Sequence, residues 1–239
     1  MPGKKVKKSK KGGPKKSQNI TIMITNDNNF EMKKYKRLED IPGDHLDLNI
    51  NNLIQPPPDF SIGDWLVVNL VDFLQRVELL YSSCSLFCTS DTCPLFNAGP
   101  QYCYFWEDDD SPQPIQVSAP EYFDALKRYI KRNLLNKEIF PDEDKGELSP
   151  KADEVIKTSY RRLFRILAHL YICHYSDISK LTDLKYFEIM NTILTHYTNI
   201  ALLFRVCKID DFAIFAPVFK AINENSTPTF HCPKFSNIE

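Results

Sequence analysis

The stretch from Lys157 to His174, KTSYRRLFRILAHLYICH, leaves this chain few ways to fold. Tyr160, Leu163, Phe164, Ile166, Leu167, Leu170 and Tyr171 recur at helical spacing, so the segment reads as a deeply buried helix. Three arginines, Arg161, Arg162 and Arg165, and two histidines, His169 and His174, ride on that apolar pattern. Buried arginine needs a partner, so three on adjoining turns imply either body carboxylates or an anion in a surface groove. Their spacings of three and four residues let all three converge on one ligand.

The histidines ask for a metal partner, and Cys88-x₄-Cys93 supplies two thiolates upstream. Cys88, Cys93, His169 and His174 are together the ligand set of a closed tetrahedral structural zinc site. Neither half is specific alone, because two buried thiols or two satisfied histidines are commoner, and Cys84, Cys103 and Cys173 are competing thiols. Histidines five residues apart point about 140° from one another on an ideal helix, so the site requires the helix to fray or bend at His174.

Order is expected to begin near Leu53, after a polar stretch with one strand candidate, Ile20 to Ile24. Pro56 to Pro58 form a stiff lead-in, and Ser61 followed by Asp64 starts a helix. WLVVNLVDFLQRVELLY, Trp65 to Tyr81, is apolar on nearly every side and reads as a central buried helix. Asp64, Asn69, Asp72, Arg76 and Glu78 should mark its outward edge. Tyr102 to Trp106 and Ile115 to Val117 flank the acidic turn Asp108 to Asp110 as a small hairpin. Pro120 opens a helix through about Leu135, and Ser149-Pro150 caps and starts the arginine-histidine helix. Two further helices fall at roughly Leu184 to Phe204 and Asp210 to Asn223, and Asn225 to Glu239 reads as a tail. The expected fold is mostly α: a single-domain bundle, residues 53–223, around a long buried helix, with a small β-hairpin and a structural zinc site. A largely disordered extension, 1–52, and a tail, 224–239, flank it.

Charge is unevenly spread. The whole chain carries −1, but eight lysines among the first sixteen residues give that segment +8, so the remainder carries −9. A body of that sign prefers basic protein partners to nucleic acid. The lysine run reads as a solvated tail, with nuclear targeting or anionic-surface binding as the functional alternatives. No leader peptide and no run of about 20 apolar residues is visible, which implies a cytoplasmic protein, with the nucleus as a second compartment, where thiols stay reduced.

The segments GDWLVVNLVDFLQRVELLY, FCTSDTCPLFNAGPQYCYFW, VSAPEYFDALKRYI and RRLFRILAHLYICHY, in this order, resemble the Mob (Mps one binder) family of kinase coactivators. The resemblance covers about Leu53 to Asn223 and is stronger toward the Mob-one and Mob-two classes than toward phocein. It implies a helical bundle with a structural Zn²⁺ whose ligands fall on Cys88, Cys93, His169 and His174. It also implies a non-enzymatic adaptor in Hippo-type, mitotic-exit and cell-polarity signalling. Such adaptors bind the basic amino-terminal region of NDR/LATS-type AGC kinases through an acidic and aromatic face, matched here by Asp64, Trp65, Val68 and Asp72. A basic pocket for phosphothreonine segments of upstream Hippo-type kinases matches Arg161, Arg162 and Arg165. The acidic position before the tryptophan is Phe60 here, with Asp59 beside it.

Two other classes compete. Pairs such as His169 with Asp177, or Cys93 with His169, would suit a nucleophile and base, but four protein ligands close a metal site to water. The remaining readings are a zinc-stabilised interaction module without kinase activation, and nucleic-acid or anionic-surface binding through the tail and the Lys127 to Arg132 face.

Overall fold

Side-chain caps set the helix starts. In a computed structural model, which describes residues 21–23, 37–110, 112–141, 148–181, 185–226 and 230–232, Ser61, Ser118 and Ser149 each accept a hydrogen bond from the backbone N–H three residues on. Each removes an orphan donor from a first turn. At Ser118 the box is reciprocal: the Ser118 N–H donates to Glu121 Oε2 at 2.8 Å, and these bonds hold the Glu121 carboxyl below its ordinary value.

After a two-stranded antiparallel ladder, β1 (Thr21–Met23) with β2 (Tyr102–Tyr104), the architecture is helical. The helices are α1 (Ile50–Leu53), α2 (Ile62–Ser82), α3 (Ala119–Leu134), α4 (Pro150–Cys173), α5 (Tyr175–Leu181), α6 (Lys185–Leu203) and α7 (Ala216–Glu224). Both α2 and α3 pack on α4, and α6 closes on α2. The centre is α4, buried without interruption from Arg162 to Cys173. A buried Leu or Phe contributes about 1.5–3 kcal/mol, so this one helix accounts for much of the core's stability.

Several expectations need correction. Helix α2 is not buried all round: Leu66, Leu70, Phe73, Val77 and Leu80 face the core, while Ile62, Val68, Val71 and Leu79 are exposed, Val68 by 49 %. Beyond Trp106 the hairpin narrows to one antiparallel pair, Trp106 with Ile115, whose two N–H···O bonds measure 2.9 and 2.8 Å. The β2 ladder is spent instead on Thr21–Met23, inside the Ile20–Ile24 strand candidate. Before α7 comes a 3₁₀ turn, Ile209–Phe215, where one continuous helix was expected.

The packed body also reaches past residues 53 and 223. Leu38, Ile41 and Ile50 are buried, and Asn191 holds their segment by donating to the Pro42 and Asp44 carbonyls at 2.9 and 2.7 Å. Gly43 fits against α7 because it lacks a Cβ, which would sit 2.1 Å from the Ala221 carbonyl oxygen. Downstream, Phe230 and Cys232 are buried, and Phe230 stacks on His45 with ring centres 3.7 Å apart. The sequence does not reveal these core residues because each apolar side chain stands alone among polar ones, without a period. The lysine-rich start, Met1 to Lys16, lies outside the described residues. No helix among the described residues is long and apolar enough to cross a membrane.

Candidate functional site

Helix α4 stops at Cys173, and His174 is its C-terminal cap, at φ −122° and ψ 3°. That break answers the geometric requirement of histidines five apart: the two Nε2 atoms come to 3.1 Å. Cys88 Sγ lies 3.4 Å from His169 Nε2, and Cys93 Sγ lies 3.4 Å from His174 Nε2. All four ligand atoms fall within 4.8 Å of one another, and all four residues are buried. Around a tetrahedral ion with bonds near 2.3 Å to sulfur and 2.0–2.1 Å to nitrogen, S···N and N···N separations are about 3.6 and 3.3 Å, so the group fits one such ion. It could hold a metal ion.

The surrounding groups support that fit. His169 Nδ1 sits 2.7 Å from the Asn97 carbonyl and His174 Nδ1 sits 3.3 Å from Asp177 Oδ2, leaving both Nε2 atoms as donors to a metal. Tyr81 donates its hydroxyl to Cys88 Sγ at 3.1 Å. Hydrogen bonding from Cys88 and the two histidines pushes the Cys93 thiol well below its ordinary value. The competing Cys84 goes the other way: burial pushes it up to about 12, and it donates to the Tyr81 carbonyl. Cys173 is likewise turned aside, donating to Asn97 Oδ1 at 3.3 Å. Asp177 meets His174 and not His169, so the His169–Asp177 pair does not form.

The three arginines part company. Arg162, 6 % exposed, lies between Trp106 and Tyr129, with its guanidinium carbon 4.4 and 4.8 Å from the ring centres, and donates to the Glu107 carbonyl. Arg165, 7 % exposed, donates to the Tyr122 hydroxyl at 3.1 Å and lies over Tyr104. Arg161 is half-buried. Arg161 and Arg165 line one cavity of about 230 Å³ with Tyr102, Tyr104, Asp210 and Asp211. Arg161 and Arg162 line another, so each of these two cavities gathers two of the three. The aromatic companions were missed in the sequence, although the alternation Tyr102, Tyr104, Trp106 was a signal for one face presenting rings.

On α2, Asp64, Trp65, Val68 and Asp72 fall within about 100° of helical arc and form one stripe. Asp64 accepts from the Ser61 hydroxyl at 2.8 Å, and Asp72 pairs with Arg76 at 2.8 Å. Phe60, 43 % exposed, meets Trp65 edge-on with ring centres 6.2 Å apart, extending the stripe with a second aromatic. It stands where an acid was expected.

Fold and site together define a helical binding scaffold: a loop and a helix end joined through a buried two-cysteine, two-histidine group, with an acid-and-apolar stripe left uncovered. The chain belongs to the Mob1/phocein family, whose model matches residues 44–215. Among its relatives, "MOB kinase activator-like 1B" of Arabidopsis thaliana is 37 % identical over 150 residues, 62 % of this chain and 68 % of that protein. "MOB kinase activator-like 1 homolog A" of Dictyostelium discoideum is 35 % identical over 150 residues, covering 62 % and 69 %. "Maintenance of ploidy protein mob1" of Schizosaccharomyces pombe is 34 % identical over 145 residues, covering 60 % and 68 %.

Proposed function

We propose that this protein is a non-catalytic kinase coactivator that docks the basic amino-terminal region of an NDR/LATS-type AGC kinase on the α2 stripe. The carrying observation is that stripe: Val68, 49 % exposed on a helix whose other face is core, stands between Asp64 and Asp72, beside the Phe60–Trp65 pair. An exposed apolar and aromatic centre edged by acids suits a basic amphipathic segment, the acids steering and the rings anchoring. The body's −9 charge outside the lysine tail supports the same partner chemistry. The relatives' names, MOB kinase activator-like, support the coactivator part of this reading.

Zinc is the ion proposed for Cys88, Cys93, His169 and His174, since two thiolates and two imidazoles in a buried tetrahedral arrangement suit it. Its role is structural, pinning the irregular 84–101 segment to the end of α4. The Arg161/Arg165 cavity is proposed as the phosphothreonine site for an upstream Hippo-type kinase, arginine being always charged and matched to phosphate oxygens. Capture from cell lysate on the immobilised protein, read by mass spectrometry, tests the coactivator reading. An AGC kinase recovered by wild type and lost with Val68→Asp supports it; equal recovery by both contradicts it.

A further inference from the structure

Residues of α3 and of the hairpin line a cavity of about 670 Å³ that shares no lining residue with the Arg161/Arg165 cavity. Residues three and four apart on a helix share a face, so Arg128, Lys131 and the cap residue Leu135 form the α3 side of it. The hairpin contributes Trp106, Ile115 and Val117. Leu135 is 65 % exposed and Ile115 44 % exposed. Large apolar side chains left in water within one cleft, and not scattered singly, mark a binding surface.

The charge left unspent in this cleft is positive. Its three carboxylates are already engaged, Glu121 in the Ser118 capping box and Asp108 and Asp110 on Arg132. Arg132 is used up by the same contacts. Arg128 and Lys131 are exposed and, among the described residues, make no ion pair. Lys127 is engaged as well, with Glu78 and Asp124 at 3.1 and 3.0 Å, so the basic run from Lys127 to Arg132 offers two unpaired cations. Two are too few for the counterion release on which nucleic-acid binding depends.

A cleft of this kind asks for two kinds of side chain, apolar ones within it and carboxylates at its rim. A small carboxylate alone would leave Leu135 and Ile115 in water. We propose that the cleft between α3 and the hairpin docks an acidic amphipathic segment of a protein partner, with aliphatic or aromatic side chains against Leu135 and Ile115 and carboxylates on Arg128 and Lys131. That chemistry is opposite in sign to the basic segment that suits the α2 stripe, so the scaffold presents two faces to two kinds of partner.

A random peptide library displayed on phage and selected on the immobilised full-length protein tests this. Wild type should enrich clones that combine aspartate or glutamate with aliphatic or aromatic residues. The tightest such clone, made as a synthetic peptide, should bind Arg128→Glu/Lys131→Glu at least about tenfold more weakly, because like charges then face each other, and Leu135→Asp should lose a similar factor. Val68→Asp should bind it as wild type does. The changed α3 side chains are exposed, so melting temperatures should stay close to wild type. Failure to enrich acidic amphipathic clones, or binding of the peptide by either α3 variant as tight as wild type, overturns the proposal. Loss of binding with Val68→Asp overturns it too, since the segment would then sit on α2.

Discussion

His169 and His174 bring their Nε2 atoms to 3.1 Å although five residues separate them, because α4 ends between them. Had the helix run on, the rings would diverge by about 140° and no common ion could be held. The end of one helix therefore creates the place where the Cys88 and Cys93 loop can be anchored.

A structural zinc proposed for these four residues would make the fold metal-dependent. Binding of a structural zinc is folding free energy, so Cys88→Ser or His169→Ala should cost roughly 4 kcal/mol or more. Atomic emission should find one zinc per wild-type chain and none in either variant. Thermal unfolding with a strong chelator should reproduce the variants' loss.

Arg161 and Arg162 are neighbours with opposite expected behaviour. Arg162 is packed between Trp106 and Tyr129 and bonded to the Glu107 carbonyl, so Arg162→Ala should cost about 2–3 kcal/mol through lost stacking and a lost charged hydrogen bond. Arg161→Ala should change stability by less than about 0.5 kcal/mol, as a partly exposed side chain whose hydrogen bond to the Thr158 hydroxyl is a long 3.4 Å. It should nonetheless weaken phosphothreonine-peptide binding by about tenfold or more, since a charge-assisted hydrogen bond contributes roughly 1.5–3 kcal/mol. Paired melting curves and titrations separate the two effects.

Phe230 and Cys232 are part of the core. Phe230 is fully buried and stacked on His45, so Phe230→Ala should cost about 3–5 kcal/mol. Removal of residues 226–239 should destabilise at least as much. Chemical denaturation of the full chain and the truncated chain measures both.

His196 gives a pH signature. It is buried against Phe73, and burial holds its pKa below the ordinary histidine value. A folded value below the unfolded one, about 6.5, means that its contribution is fully present above pH 6.5 and is lost as pH falls through the folded value. Stability should decline on acidification below about pH 6.5, and His196→Phe, which cannot bind the proton, should flatten that part of the profile. Denaturation midpoints between pH 5 and 8 show whether it does.

The parts legible in the sequence were those written in local chemistry. Ser149-Pro150 and Ser118 with Glu121 announced their helix starts, and the period of Tyr160, Leu163, Leu167 and Tyr171 announced the central helix. The cysteine and histidine spacings, with a break required at His174, announced the buried group of four that could hold a metal ion. What was hidden depends on contacts between distant residues. Leu38, Ile41 and Phe230 are core only because Asn191, Gly43 and His45 hold their segments in place. The separation of Arg162 from Arg161 is likewise invisible, since it depends on Trp106 and Tyr129 arriving from two other elements. On α2, nearly uniform apolarity suggests a buried helix because an exposed apolar face and a core face have the same composition.

The most direct measurement is calorimetric titration of the purified protein with the basic amino-terminal segment of an NDR/LATS-type kinase, at physiological salt, for wild type, Asp72→Lys and Val68→Asp. Docking on the α2 stripe predicts saturable binding by wild type and at least about a tenfold loss in each variant, with melting temperatures nearly unchanged because both side chains lie outside the core. Binding by both variants as tight as wild type, or no binding by wild type, would contradict it.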